Sequence, residues 1–338
     1  TYAASTNFSN FTPMTQSVAA GSLPEHAPFA FGNSAWTQVS IADRTTQLAA
    51  GQFNSGNWDM IDTNRTGPDA GRYLFTVFET SQAGVQRTDL KTGTTITQWA
   101  SPAAAPAPNS HVAFDASRWT PFGTYLTAEE SWGAQPQPYG RLFELRNPIS
   151  APSSGTDFVH RNVIPRVSHE GLAFDKKNNL YFIAELNGGS IYRYSAVTPN
   201  AGATYFNGGT SSVLRVGDGN TANATGAFSW VNFTDAAGVG LGGAVTIDDP
   251  NGITSVDGRA TTDVAAFKGT DYQRPEDLEI QTLANGDEVL YVATTTTHEV
   301  YSINLDTGLV NRFASRSTID AATGIAVGTA LSNPDNLA

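Results

Sequence analysis

The sequence contains no cysteine, which excludes disulfide bonds, thiolate metal ligands and a cysteine nucleophile. Lysine and arginine are scarce: the 19 basic residues stand against 31 acidic ones, for a formal net charge of −12. Without a basic stripe to neutralise phosphates, we expect no nucleic-acid partner. No apolar run approaches the roughly 18 to 20 residues of a membrane-spanning helix, so the chain is predicted not to be transmembrane.

What the sequence does contain is a repeated unit of short apolar strands marked by carboxylates. Three units open on an acidic residue, namely Glu170, Glu276 and Asp335. Apolar strands that end in Glu79, Glu129 and Glu185 recur at intervals of 50 and 56 residues, and Glu276 and Asp335 are 59 residues apart. A period of this length with several strands per unit is typical of a β-propeller, whose blades usually carry four strands.

We therefore predict an all-β fold, a six-bladed β-propeller whose last blade is incomplete in this chain. The spacing gives five complete blades, with a degenerate fourth member in the glycine-rich stretch 199–262, and a sixth that begins at Asp335. Residues 1–50 are predicted to be an N-terminal arm that packs on the propeller, and residues 51–338 one propeller domain. The chain begins at Thr1 with small polar residues, as a mature protein does after signal cleavage, so we expect a secreted, periplasmic or cell-surface protein.

Residues at the starts of propeller blades converge on the central axis, so the acidic side chains should meet in one channel. Converging carboxylates are costly unless a metal ion or an arginine compensates them. Donor sets made of oxygen alone suit hard cations such as Ca²⁺, Mg²⁺ or Mn²⁺. The predicted metal ligands are Glu79, Glu129, Glu130, Glu170, Glu276 and Asp335.

Four motifs follow one another in the order found in the PhoX family of secreted bacterial alkaline phosphatases, and the chain resembles that family. They are residues 124–130 (TYLTAEE), 169–171 (HEG), 274–277 (RPED) and 334–338 (PDNLA). Residues 57–59 (NWD) and Glu79 resemble the first blade of the family, so the resemblance covers about residues 50–338. It implies a six-bladed propeller that holds calcium ions and a pair of irons on its axis and hydrolyses phosphate monoesters.

Carried over position by position, the resemblance implies that Arg274 clamps the phosphate and that the carboxylates of the motifs bind metal. Metal ions polarise phosphoryl oxygens and lower the pKa of a bound water, and an arginine fork stabilises the charge on the phosphoryl group. No side-chain nucleophile is then required. Residues expected to surround the ligands are Asp59, His169, Asp277 and Asn336.

One position departs from the family. Where the family has a cysteine that bridges the irons, this chain has Ala128, immediately before Glu129. The substitution removes the soft ligand that favours iron, so calcium is the expected cofactor and iron is not.

Three functions remain open at this point. The first is a secreted, calcium-dependent phosphomonoesterase. The second is a non-catalytic propeller with an unknown surface partner, in which axial calcium only ties the blades together and Arg274 pairs with Glu276 or Asp277. The third is a calcium-dependent lactonase-type propeller, which would need an asparagine-rich site for a single calcium ion. Fold alone does not choose between them, since propellers host many functions.

Overall fold

The strands form four-stranded antiparallel blades, which confirms the prediction of an all-β propeller. The structure is a computed structural model that describes residues 12, 14, 16–102, 110–150 and 157–337. Among those residues, no helix is long and apolar enough to cross a membrane. Most strands of a blade follow one another directly in the chain, so short loops connect them.

Blades A and B are the first two sheets, and their strands lie side by side in chain order. Blade A consists of β1 (Trp58–Thr63), β2 (Tyr73–Phe78), β3 (Gly84–Asp89) and β4 (Thr94–Ala100). Blade B consists of β5 (Phe114–Trp119), β6 (Tyr125–Glu129), β7 (Leu142–Leu145) and β8 (Phe158–His160). Strands β2, β5, β6 and β7 are buried along nearly their whole length, and this includes polar side chains such as Asp115 and Arg118 in β5.

The N-terminal arm meets the propeller at the outer strand of blade A. Its short helix α1 (Arg44–Ala49) begins after Asp43, whose carboxylate accepts a hydrogen bond from the Thr46 amide. Immediately after the helix, the chain is joined to β4 through Thr97, whose hydroxyl accepts a hydrogen bond from the Phe53 amide at 2.8 Å. The aromatic side chains of Phe29 and Phe31 remain exposed, so they do not supply the packing contact.

Blade C follows, and an inserted segment separates it from blade D. Blade C consists of β9 (Leu172–Phe174), β10 (Leu180–Ile183), β12 (Ile191–Ala196) and β13 (Gly209–Val216). The short strand β11 (Asn187–Gly189) lies between β10 and β12 in the chain and is not part of the blade. The inserted segment contains β14 (Gly226–Asn232), β15 (Thr246–Asp248), β16 (Thr254–Val256), the helix α2 (Gly258–Thr261) and β17 (Tyr272–Gln273). Blade D consists of β18 (Pro275–Thr282), β19 (Glu288–Thr294), β20 (Glu299–Asn304) and β21 (Leu309–Ala314). Short 3₁₀ helices span Gly202–Asn207, Ala265–Phe267 and Gly328–Ala330.

The region predicted to be a degenerate fourth blade does not form one. Strand β14 pairs with β13 of blade C and with β21 of blade D, so it joins the outer edges of these two blades into a single nine-stranded sheet. Strand β11 pairs with β17, and β15 with β16, as two small ribbons. The described residues therefore contain four complete blades, where the spacing predicts five, because the polar, glycine-rich segment supplies no buried inner strand.

The inner strands surround the axis in the order β1, β5, β9 and β18, each in contact with the next. Because no blade lies between them, β9 and β18 meet directly, and the Gly171 amide donates a hydrogen bond to the Glu276 carbonyl at 3.3 Å. Apolar layers fill the spaces between neighbouring sheets. Phe75 stacks on Tyr125 between blades A and B, with ring centroids 4.6 Å apart, and Tyr272 packs edge-on against Tyr301 near blade D.

Candidate metal centre

Each inner strand carries a carboxylate at the end that faces the axis. In β1, β5 and β18 the pairing register is irregular around Asp59, Asp115 and Glu276, respectively. A bulge of this kind redirects a side chain out of the regular alternation of a strand. In blade C, Glu170 stands two residues before β9. The inner strands of all four blades thus aim one carboxylate at the same region.

Three further carboxylates lie just after the second strands of blades A, B and C. Glu79 follows β2, Glu130 follows β6, and Glu185 lies two residues beyond β10. Antiparallel pairing places the start of an inner strand beside the end of the second strand, as Trp58 opposite Phe78 illustrates. Each of these three blades therefore contributes two carboxylates to the same end of the propeller.

The carboxylates converge into one continuous group. Three sets have ligand oxygens that all lie within 4.8 Å of one another: Asp59, Asp115 and Glu170; Glu79, Asp115 and Glu130; and Glu170, Glu276 and Asp335. Asp115 and Glu170 each belong to two sets, so the sets are contiguous. We call these seven residues the axial cluster. Glu185 borders the cluster and interacts electrostatically with Glu130 and Glu276.

Several of these carboxylates are buried with an oxygen that nothing satisfies. Asp115 is 4% exposed, Glu170 3% and Glu185 2%. Among the described residues, Asp115 Oδ1, Glu170 Oε2 and Glu185 Oε2 have no hydrogen-bond partner. A buried carboxylate oxygen without a partner is costly in a folded protein, and a bound cation is the compensation that a group of such oxygens can share.

Burial and mutual repulsion make these carboxylates hard to ionise in the protein alone. Burial, together with neighbouring carboxylates, raises the pKa of Asp59 and of Glu79 to about 6, and that of Glu185 to about 10. The pKa values of Asp115 and Glu170 are also raised well above the ordinary range, chiefly by burial. Full ionisation of the buried Asp115, Glu170 and Glu185 therefore requires a compensating cation.

Arg274 is the cation beside the cluster. Its Nε lies 2.8 Å from Glu276 Oε1, and its Nη2 lies 2.8 Å from Glu185 Oε1. The ion pair with Glu276 that the sequence left open as an alternative is therefore present. The side chain is still 40% exposed, and its Cζ lies 5.4 Å from the ring centroid of Trp132.

The structure does not bring Glu129 into the axial cluster. Its side chain is fully buried, and Oε1 lies 2.6 Å from Nη2 of the buried Arg141. Its Oε2 accepts hydrogen bonds from Arg141 Nε and from the Gly140 and Arg141 amides. The oxygens predicted to bind metal are thus occupied by an arginine and by backbone donors, and Glu130 is the residue of the pair that faces the axis.

The residues expected around the ligands take different positions. Asp59 belongs to the axial cluster itself. Asn336 donates a hydrogen bond to Asp335 Oδ1 at 3.2 Å, and Asp277 accepts one from the Leu337 amide at 2.9 Å. Burial raises the pKa of Asp277 to about 7. His169 lies outside the cluster and packs against Phe182, and burial lowers its pKa to about 3.

Two site residues were not predicted. Asp115 occupies the shared position of two carboxylate sets, and Glu185 was recognised only as a marker of the repeat. A signal for Asp115 exists in the sequence: Phe114 and Asp115 open β5 as Trp58 and Asp59 open β1.

The donors fit calcium and do not fit a thiolate-bridged iron pair. Every group in the axial cluster is a carboxylate, and hard cations such as Ca²⁺ take six to eight oxygen ligands. At the position of the family's cysteine, Ala128 is completely buried and packs with Leu126 and Leu142 in the apolar core. Among the described residues, the axial cluster contains no soft ligand that would select iron.

Comparison with known proteins relates the chain to others by fold. No family model and no curated protein matches the sequence. PhoX of Pseudomonas fluorescens, solved in complex with vanadate, a transition state analogue, is similar with a TM-score of 0.51 and 16% identity, over 83% of this chain and 72% of that one. Below 25% identity this likeness concerns the propeller fold alone.

Two further solved structures are more distant. The periplasmic gluconolactonase PpgL of Pseudomonas aeruginosa has a TM-score of 0.34 and 15% identity, over 79% of this chain and 70% of that one. An auxiliary nutrient binding protein from Bacteroides thetaiotaomicron has a TM-score of 0.34 and 12% identity, over 78% of this chain and 58% of that one.

Proposed function

We propose that the protein is a secreted, calcium-dependent phosphomonoesterase whose metal ions bind in the axial cluster. The observation that supports this proposal is the cluster itself, in which seven carboxylates converge beside one half-exposed arginine. Apolar layers fill the spaces between the sheets, so cohesion between the blades has a source apart from the cluster.

Calcium is the cation class that the donors favour. The contiguous carboxylate sets provide enough oxygens for more than one ion, with Asp115 and Glu170 as bridging residues. Calcium accepts irregular sets of six to eight oxygens, whereas magnesium demands a near-octahedral set and keeps several waters. The dense and partly buried carboxylates therefore suit calcium, which gives up its bound water more readily than magnesium does.

Arg274 offers a binding group for an anionic substrate once metal ions balance the carboxylates. Arg274 is 40% exposed and offers planar, forked donors, which match the oxygens of a phosphoryl group. Bound calcium would polarise the phosphoryl oxygens and lower the pKa of the attacking water. Arg274 would hold the equatorial oxygens, and Glu185 and Glu276 would orient its guanidinium from the opposite side.

The first test is metal analysis of the purified, unchelated protein together with hydrolysis of p-nitrophenyl phosphate. We expect stoichiometric calcium, turnover that a chelator abolishes, and recovery when calcium is added back. Asp263→Asn is a matched control, because Asp263 is a carboxylate outside the cluster with a side chain 73% exposed. It should behave as the wild type does.

Two results would contradict the proposal in different ways. Absence of bound calcium, with no effect of chelation on folding or turnover, would reject the metal site. Stoichiometric calcium without turnover would instead favour the non-catalytic propeller, in which Arg274 serves only as the counter-ion of Glu185 and Glu276. A lactone substrate assayed in parallel tests the lactonase alternative.

A further inference from the structure

Trp132 is a large, partly exposed aromatic residue that lies at the edge of the axial cluster. It is 41% exposed, although its chain neighbour Ser131 is buried. It lies in the loop that leaves β6 just after Glu130. Exposure alone is ordinary for a single apolar side chain, so the role of Trp132 must be judged from its contacts.

The side chain of Trp132 contacts both kinds of group in the site. Its Nε1 donates a hydrogen bond to Glu130 Oε1, and Glu130 is a member of the axial cluster. The guanidinium of Arg274 lies over the Trp132 ring, with Cζ 5.4 Å from the ring centroid. A separation below about 6 Å is within the range of a cation–π contact, and a guanidinium stacks well on an aromatic face.

The backbone under Trp132 is firmly held. The Ser131 amide donates to Ser168 Oγ at 2.9 Å, and the Ser131 carbonyl accepts from Arg259 Nη1 at 2.8 Å. Arg259 is itself buried and paired with Asp257 at 2.8 Å. The Trp132 carbonyl also accepts a hydrogen bond from Gln137 Nε2. The indole therefore projects from a fixed base, which a positioning side chain requires.

We propose that Trp132 is a positioning residue that fixes Arg274 and Glu130 relative to each other. Its ring sets the plane of the Arg274 guanidinium, and its N–H holds the Glu130 carboxylate in the orientation that faces the axis. The inference rests on the proposed function, because it assigns Arg274 to the anion and Glu130 to calcium. It adds that one side chain couples the two binding events.

The test separates the role of the Trp132 ring from the role of its N–H group. Calcium binding, and then binding of inorganic phosphate to the calcium-loaded protein, are measured by calorimetry for the wild type, Trp132→Phe and Trp132→Leu. Trp132→Phe keeps an aromatic face and should bind phosphate almost as tightly as the wild type, whereas Trp132→Leu should bind it about tenfold more weakly. Both variants lose the N–H and should bind calcium a few-fold more weakly.

A double-mutant comparison shows whether the ring acts through the arginine. In the Arg274→Ala background, Trp132→Leu should cause no further loss of phosphate affinity, because the group that it positions is gone. Phe29→Leu is the control for removal of an exposed aromatic residue, since Phe29 is 68% exposed and lies in the N-terminal arm. It should leave both affinities unchanged.

The outcomes distinguish the inference from the function on which it rests. A wild-type protein that binds neither calcium nor phosphate rejects the proposed function, and the positioning role with it. A wild type that binds both, with Trp132→Leu indistinguishable from it, rejects the positioning role alone. An equal loss for Trp132→Leu with and without Arg274 also rejects it, because the ring would then act independently of the arginine.

Discussion

Glu129 and Glu130 are adjacent in the chain, yet their carboxylates serve separate parts of the molecule. Glu129 is fully buried in an ion pair with Arg141, 2.6 Å away, whereas Glu130 joins Glu79 and Asp115 in the axial cluster. Consecutive side chains of a strand point to opposite faces, so only one of the pair can face the axis. Substitutions at the two positions should have different consequences.

Replacing Glu129 should destabilise the protein whether or not calcium is present. Glu129→Gln removes the charge that compensates the buried Arg141, and breaking a buried ion pair from one side costs about 3 kcal/mol or more. The measurement is urea denaturation in calcium and in chelator. A loss of stability confined to the calcium-containing samples would place Glu129 among the metal ligands after all.

Replacing Glu170 should weaken the response to calcium without destabilising the metal-free protein. Glu170→Gln removes a shared member of two carboxylate sets, so calcium affinity should fall about tenfold or more, and the rise in Tm that calcium produces should shrink. In chelator at pH 7 the variant should be as stable as the wild type or more so, because burial opposes ionisation of Glu170. An unchanged response to calcium would contradict the axial metal site.

The stability of the metal-free protein should depend on pH through the cluster. Asp59 and Glu79 have pKa values of about 6 in the folded protein, above those of the unfolded chain, so the folded state binds more protons between about pH 4 and 6. Stability from these groups is therefore lost as the pH rises through 6. His160 opposes this trend, since burial lowers its pKa to about 4 and the unfolded chain then holds the extra proton.

Comparing melts with and without calcium isolates the contribution of the cluster to the pH dependence of stability. Bound calcium replaces the protons, so the difference in Tm between calcium and chelator should increase between pH 5 and pH 7. His160 lies outside the carboxylate sets, so its contribution to Tm should be the same with and without calcium and should cancel in this difference. Thermal melts at half-unit pH steps measure it, and a difference that stays constant or falls with pH would be incompatible with carboxylate ligation.

Removing Arg274 should separate anion binding from metal binding. Arg274→Ala should lower turnover of a phosphate monoester about 100-fold, as loss of a preorganised donor to a transition state typically does. Calcium content should remain intact, with equal or higher affinity, because a cation that competes for Glu185 and Glu276 is gone. Arg274→Lys should retain part of the turnover. Loss of calcium from Arg274→Ala would mean that the arginine organises the metal site itself.

Adding a side chain at Gly171 should destabilise the protein, because β9 and β18 approach each other closely there. A Cβ at this position would lie 2.5 Å from the Leu278 amide nitrogen and 2.7 Å from Asp277 Oδ1. Gly171→Ala should cost about 2 kcal/mol and weaken calcium binding by pushing Glu170 away from Glu276. Gly242→Ala is the matched control, since nothing lies within 4 Å of a Cβ there. Equal stability and calcium affinity in the two variants would contradict the close approach.

The repeat phase in the sequence predicted much of the site because the fold places equivalent positions together. Glu79, Glu130, Glu170, Glu276 and Asp335 all lie in the cluster. The sequence could not separate Glu129 from Glu130, because the choice depends on strand register and on a partner, Arg141, that lies twelve residues away. Asp115 escaped notice because its neighbours in the chain do not match those of Glu170.

The blade count was harder to predict for a different reason. The periodicity gives the distance along the chain between blades, and it counts an insertion of suitable length as a blade. Residues 199–262 fit the period but are polar and rich in glycine. Instead of forming a blade, their strand β14 pairs with the outer strands of blades C and D.

The distribution of carboxylates over the blades has a consequence for how such a centre can change. Blades A, B and C each supply one acidic side chain at the start of the first strand, or just before it, and one just after the second strand. Thr295 takes the latter position in blade D. The coordination capacity of the channel is therefore assembled in modules of two carboxylates in each of blades A, B and C. Because each carboxylate set combines residues from more than one blade, loss of a single module would weaken two ion positions at once.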